Sequence, residues 1–301
     1  MTEQYIELHA ASAFSFLQAA SLPEDLIERA VALEMPAIAL LDHNGVYGSV
    51  RMHTSAKLNG VRTHVGAEVS VSNLGRRLKP PAWLPHQHPD EPVRLPLLCT
   101  SREGYQNLCQ LITQLKMHET TKADGAAASN DLAQYAKGLI CLTGGDEGPL
   151  ASALTYGGED AARARVEELV RIFGSENVYI ELQRHQEREE EWRNQAAIRI
   201  ARSLYLPLVA TNGVRYATAY DREIQDLFTA IRHHVELDQA GRLLALNSLR
   251  HLRSAREMTA LFRDLPRAIE NTVELSSRLA FELSDLGYEF PRYPVPDGET
   301  M

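Results

Sequence analysis

Cysteine is scarce in this chain: Cys99, Cys109 and Cys141 are the only three, and no two form a Cys-x-x-Cys pair. That excludes a thiolate zinc cluster and a disulfide-stapled scaffold, and the apolar surroundings of all three fit core thiols. No run approaches the roughly eighteen apolar residues of a membrane helix. The N-terminus has no basic stretch followed by an apolar one, so a cytoplasmic protein is expected. Positive charge is also short, with 31 Lys and Arg against 40 Asp and Glu and a net charge of −9. Such a surface is a poor duplex binder, because phosphate contacts need basic residues. Any contact with DNA then has to be local or lent by a partner. Low-complexity tracts are missing too. The 301 residues, 44% of them hydrophobic, suffice for one barrel-sized domain with an appendage or for two smaller domains.

What is present is organised around AIALLDHNGVYGSV, residues 37–50. It reads as a buried strand over 37–41 that ends in Asp42 and His43, then Asn44 and Gly45, then a helix over 46–58. A carboxylate and an imidazole at the C-terminal end of a parallel strand stand where α/β barrels keep their chemistry. Upstream, residues 5–8 form a first strand that runs into His9. Ser21 is placed to cap a helix with Pro23 in its first turn and Leu26, Ile27, Ala30 and Leu33 on its apolar face. Residues 62–71 return as a third strand carrying Glu68. Residues 74–92 read as an inserted loop, where His86 and His88 have no third ligand near them in sequence.

Further strands over 95–99 (weakened by Pro96), 139–142, 178–182 and 208–210 alternate with helices over 102–117, 159–173 and 187–205. Residues 120–130 read as polar loop. Seven short apolar strands separated by helices predict parallel pairing with crossovers and a seven-stranded α/β barrel, with a doubly wound open sheet as the alternative. From Tyr220 the rhythm changes to helices over 221–232, 255–262 and 266–281 with no strand between them. The expected organisation is a barrel over 1–219, a helical appendage over 220–286 and an extended, proline-containing linker over 287–301. A chain that finishes on a linker is expected to be part of something longer.

A barrel presenting His9, the pair Asp42 and His43, and Glu68 at successive strand ends resembles the PHP family, the polymerase and histidinol phosphatase barrels that hold two or three metal ions. The motifs ELHAASAFSFL, LLDHNGVYGSV, VGAEV, EGYQNLCQLIT, GLICLTGG, IELQRH, VATNGVRY and RHLRSAREMTALFRD are similar to the N-terminal region of bacterial DNA polymerase III alpha subunits. Gly144 and Gly145, FSFL and NSLRHLRSAREM look most like the error-prone branch. The resemblance implies a PHP-type distorted (βα)7 barrel within a parent DNA-directed DNA polymerase that serves replication, repair and lesion bypass.

It also implies a ligand set, and much of that set is replaced here. The second imidazole of the first strand's HxH is Ala11. The acid after the FSLL-type run is Gln18, and the histidine before the fourth strand falls at about Arg94. The cysteine of an SGC motif is Gly145, and the Asp and His of the late NDVH motif are Gly213 and Arg215. His9, His43 and Glu68 remain, with Asp42 beside them. They are the remnant metal site, with His185, Arg94 and Arg215 as rim neighbours. Arg94 and Arg215 bring fixed positive charge to a place meant for cations, and are expected to pair with Glu68 or Asp42. His185 is expected to be a hydrogen-bonded structural residue, and His233 and His234 to serve a helix end.

The expectation is therefore a degenerate barrel with no cofactor and no catalysis of its own. It would act as a scaffold or docking module for the polymerase core of its parent chain or for a proofreading exonuclease, touching DNA only through that core and no membrane. Magnesium belongs to the polymerase core alone: its aspartates typically include an Asp-x-Asp pair, which none of the aspartates here forms. The alternative is an active metal-dependent phosphoesterase or 3′–5′ exonuclease with zinc or manganese at the remnant site. A freestanding interaction module is a third reading.

Overall fold

The computed structural model describes residues 4–72, 74, 92–117 and 125–287. His86, His88 and nearly all of the expected linker lie outside the described residues. The strands are β1 (Glu7–Ala10), β2 (Ala37–His43), β3 (Arg62–Ser72), β4 (Val93–Cys99), β5 (Ala127–Ala128), β6 (Leu139–Leu142), β7 (Val178–Leu182) and β8 (Leu208–Ala210). The helices are α1 (Pro23–Ala32), α2 (Ser49–Asn59), α3 (Arg102–Met117), α4 (Ser129–Tyr135), α5 (Pro149–Phe173), α6 (Arg188–Leu204), α7 (Arg222–Arg232), α8 (Ala255–Leu261) and α9 (Pro266–Arg278).

Seven strands follow one another in the order β1-β2-β3-β4-β6-β7-β8, and β5 pairs with β3 off that path. Beyond β8 the chain crosses to β1. Val214 N donates to His9 O and Ala11 N to Val214 O, both at 2.9 Å, so the sheet curls back on itself. This is the distorted seven-stranded α/β barrel read from the sequence.

Three expectations change. Pairing is not parallel throughout, because β4 runs antiparallel to both β3 and β6. An apolar run marks a buried strand but carries no direction. The reversal has a consequence: β4 delivers its first residues, not its last, to the rim, and Arg94 stands opposite Ser70. Second, β5 and the start of α4 occupy part of the stretch read as polar loop. Third, Ser21 does not cap α1. Its hydroxyl accepts from Ala217 N at 2.7 Å and donates to Asp221 at 3.3 Å, while Asp25 accepts from Leu22 N at 2.9 Å.

Residues alternate across the barrel wall with period two. Facing inward, Ile6, Leu8, Ala37, Ala39, Leu41, Leu98, Ile140, Leu142, Tyr179 and Val209 form one buried cluster with Leu275 and Leu279 of α9. The lower barrel is thus a packed apolar plug, and α9 seals its floor. The outward-facing set, with Leu40, Val69, Leu97 and Ile180 among it, packs under the surrounding helices. Cys99 and Cys141 are buried there as free thiols, and burial raises the pKa of each. Among the described residues no helix is long and apolar enough to cross a membrane.

A polar latch ties α9 to the floor. Ser276 Oγ lies 2.7 Å from His64 Nε2 and accepts from Arg62 Nη2 at 2.8 Å. Burial, with the neighbouring Arg62 charge, pulls the pKa of His64 from 6.5 down to about 3. The unfolded chain therefore takes up this proton first as the pH falls. The contribution of His64 to stability is intact above pH 6.5 and is lost on acidification toward pH 3, by at most about 1.4 kcal/mol per pH unit. Denaturant unfolding of the wild type and of His64→Asn across that range should show a shallower acid limb in the variant. Parallel pH profiles would contradict the assignment.

Candidate functional site

Above the apolar plug the inward positions turn polar, and they do so at the rim where strand ends converge. β1 brings His9, β2 brings His43, β3 brings Glu68 and Ser70, the reversed β4 brings Arg94, β7 brings Glu181, and the segment after β8 brings Arg215.

His9 is buried and touches a carboxylate with each ring nitrogen: Nδ1 donates to Glu181 Oε1 at 2.7 Å and Nε2 to Glu68 Oε1 at 3.2 Å. Ionised carboxylates only accept, so this ring carries a proton on both nitrogens. Burial alone would keep it neutral, but Glu181 and then Glu68 outweigh burial and push its pKa up to about 10. Burial likewise opposes the charge on Glu68. The Arg215 guanidinium, the His9 hydrogen bond and Arg94 win, and hold that carboxyl well below the usual carboxylate range. Arg94 Nη1 donates to Glu68 Oε2 at 3.3 Å, and Arg215 Nη1 lies 3.7 Å from the same oxygen. Both arginines also reach Glu147 Oε2, at 3.1 and 3.4 Å.

His43 is different. The Gln18 amide donates to Nδ1 at 3.1 Å, which leaves Nε2–H to donate to Ser70 Oγ at 2.8 Å. Ser70 Oγ also accepts from Asn44 Nδ2 at 3.0 Å. The ring is neutral, and burial, then the Arg94 charge, lower its pKa to about 4.

Asp42 does not join the rim cluster. Next to an inward His43 it must point outward, and there it accepts from Ser12 N, Ser12 Oγ and Ser15 Oγ at 2.9 Å each and from Gly48 N at 3.0 Å. A Cβ at Gly48 would come within 2.6 Å of the Asp42 carboxylate, so only glycine leaves this seat open. Of the two partners expected for the arginines, Glu68 receives them and Asp42 does not.

His185 is fixed between Glu190, at 2.7 Å from Nδ1, and the Asn212 carbonyl, at 2.9 Å from Nε2. His233 follows the last turn of α7, with Nε2 3.5 Å from Arg232.

Glu181 and Glu147 escaped the sequence reading because neither stands at an expected ligand position. Glu181 did leave a signal, as a lone acid at an inward position of the apolar run VYIEL. Glu147 stands in the polar turn TGGDEG and left none. Among the described residues no three or more His, Cys, Asp or Glu side chains group so as to hold a metal ion.

The model of the PHP domain family matches residues 7–185. An error-prone DNA polymerase of Mycolicibacterium paratuberculosis (strain ATCC BAA-968 / K-10) is 37% identical over 297 residues, which are 98% of this chain and 26% of that protein. One of Nocardia farcinica (strain IFM 10152) is 35% identical over 332 residues, 99% of this chain and 29% of that protein. The chain therefore spans about a quarter of the length of these curated relatives. Among solved structures, an amidohydrolase from Chromobacterium violaceum matches with a TM-score of 0.45 at 15% identity, over 70% of this chain and 87% of that one.

Proposed function

The chain belongs to the PHP domain family, and from that premise we propose that it is the PHP module of an error-prone DNA polymerase whose metal site has been replaced by a charge network, leaving a structural scaffold. Its partner is the polymerase core of the same parent chain. The observation that carries this reading is the occupation of Glu68: one oxygen accepts from a protonated His9 and the other from Arg94.

A cation needs lone pairs, and those of the remnant set are already engaged by neighbouring donors and charges. His9 is a donor on both nitrogens, His43 spends its only lone pair on Gln18, and Glu68 is neutralised by an imidazolium and two guanidiniums. Fixed positive charge at Arg94 and Arg215 would repel divalent ions brought to the same rim. These residues do not fit a two- or three-metal centre, and no hydrolytic step is derived through one. The charge-assisted bonds instead cross-link β1, β3, β4, β7 and the segment after β8, as shared metal ions do in a loaded site.

The test is turnover. The 301-residue chain, supplied with zinc or manganese, is expected to hydrolyse neither p-nitrophenyl phosphate nor the 3′ end of single-stranded DNA above the level of Glu68→Gln. Turnover that is metal-dependent and disappears in His43→Ala would establish the phosphoesterase instead.

A further inference from the structure

α7 lies against the molecule with its faces reversed. Its apolar residues Ile224, Leu227, Phe228 and Ile231 fall at i, i+3, i+4 and i+7 and form one stripe, the pattern of a helix that buries that face. Here the stripe points outward: Ile224, Leu227 and Ile231 are 45%, 47% and 49% exposed. The side turned toward the protein is the polar one. Arg222 pairs with Asp226 at 3.2 Å and donates to the Ala245 carbonyl at 2.7 Å, and Thr229 is buried. Gln225 Oε1 and Asp226 Oδ1 are buried there with no hydrogen-bond partner.

The exposure is concentrated as well. Among the described residues sixteen large hydrophobic side chains are exposed, and seven of them fall within residues 220–246. Apolar surface gathered into one stretch in this way marks a contact surface, where scattered single residues would not.

The occupant follows from length and place. This chain spans about a quarter of its curated relatives, so in a parent of that length about three quarters of the polypeptide lies outside the structure. α7 opens the segment after the barrel that leads toward Met301. We infer that α7 is the docking helix between this module and the polymerase core, its stripe seated in an apolar groove of the parent chain beyond Met301. The inference rests on the scaffold reading proposed above, which supplies the core. A stripe at i, i+3, i+4 and i+7 is how a helix fills such a groove. A second copy of this chain is the poorer occupant, since each copy carries a net charge of −9 and like charges oppose the approach.

Hydrogen exchange across residues 222–232, compared between the 301-residue chain and the full-length parent polymerase, tests the contact. Exchange there should be slower in the parent by about tenfold or more, because the covered helix opens only when the contact does. Leu227→Gln with Ile231→Gln keeps the helix propensity and removes the apolar stripe, and should return the parent to the exchange rate of the 301-residue chain. In the 301-residue chain the same pair should move the melting temperature by less than about 2 °C, which establishes that the fold is intact. Equal exchange in the two proteins, or protection in the parent that survives the double substitution, overturns the proposal. So does a dimer of the 301-residue chain that the double substitution dissolves, which would give the stripe to a second copy. Metal-dependent turnover would end the scaffold reading and leave this contact standing, so the two fail separately.

Discussion

Glu68→Gln is expected to cost the folded chain about 3 to 5 kcal/mol, the range found when one member of a buried charge network is removed. The amide keeps the shape and loses the charge. His9 keeps Glu181 but loses its second carboxylate, and Arg94 and Arg215, whose side chains are only 15% and 13% exposed, keep only the half-exposed Glu147. The loss comes from stranded positive charge and not from a missing contact, so removing one of those charges should recover part of it. Glu68→Gln with Arg94→Met is accordingly expected to be more stable than the sum of the two single changes, by about 0.5 to 3 kcal/mol. Urea unfolding followed by circular dichroism measures all four proteins. A loss below about 1 kcal/mol for Glu68→Gln, or strict additivity, would mean that the rim network does not hold the barrel together.

Leu275→Ala is expected to cost about 2 to 5 kcal/mol. Leu275 is fully buried, and with Leu279 it belongs to the inward-facing cluster that includes Leu8, Ile140 and Val209. Polar groups of α9 satisfy the strands above it. Thr272 Oγ1 accepts from Ile6 N at 3.2 Å, and Asn271 Nδ2 donates to Leu208 O at 2.7 Å. The floor therefore cannot close over the hole without moving β1 and β8. Leu246→Ala, at a side chain that is 79% exposed, serves as the control and should shift stability by less than about 0.5 kcal/mol. Equal effects of the two leucine changes would show that α9 is attached to the barrel without being part of its core.

These two sites also mark what the sequence made legible. β6, β7 and β8 have the boundaries expected of them, because each is a short apolar run closed by turn residues, and α3 follows from its apolar face. The direction of β4 was not legible, since alternation is the same read from either end. Nor was the docking of α9. An amphipathic helix announces that it hides one face without naming what lies against it, so residues past Tyr220 read as an appendage although α9 closes the barrel. At the rim, the resemblance supplied His9, His43 and Glu68, and the substituted positions supplied Gln18, Arg94 and Arg215. Charge alone paired Arg94 and Arg215 with Glu68 or Asp42, and the rest of the network had no such signal. That Glu181 takes the second nitrogen of His9, and that Gln18 is turned toward His43, depend on which strands become neighbours when the sheet closes. Asp42 shows the same limit in reverse: adjacent to His43 in sequence, it stands on the other face of the strand.

The most direct measurement is the metal content of the purified chain, together with its melting temperature in zinc, in manganese and in chelator. An ion bound only by the folded state at a hundred times its dissociation constant adds about 2.7 kcal/mol, which is readily seen as a shift in melting. The expected result is far less than one equivalent of either metal and a melting temperature that neither ion nor chelator moves. Stoichiometric metal, removed by chelator with a fall of several degrees and absent from His43→Ala, would contradict the replacement of the metal centre by charge pairs.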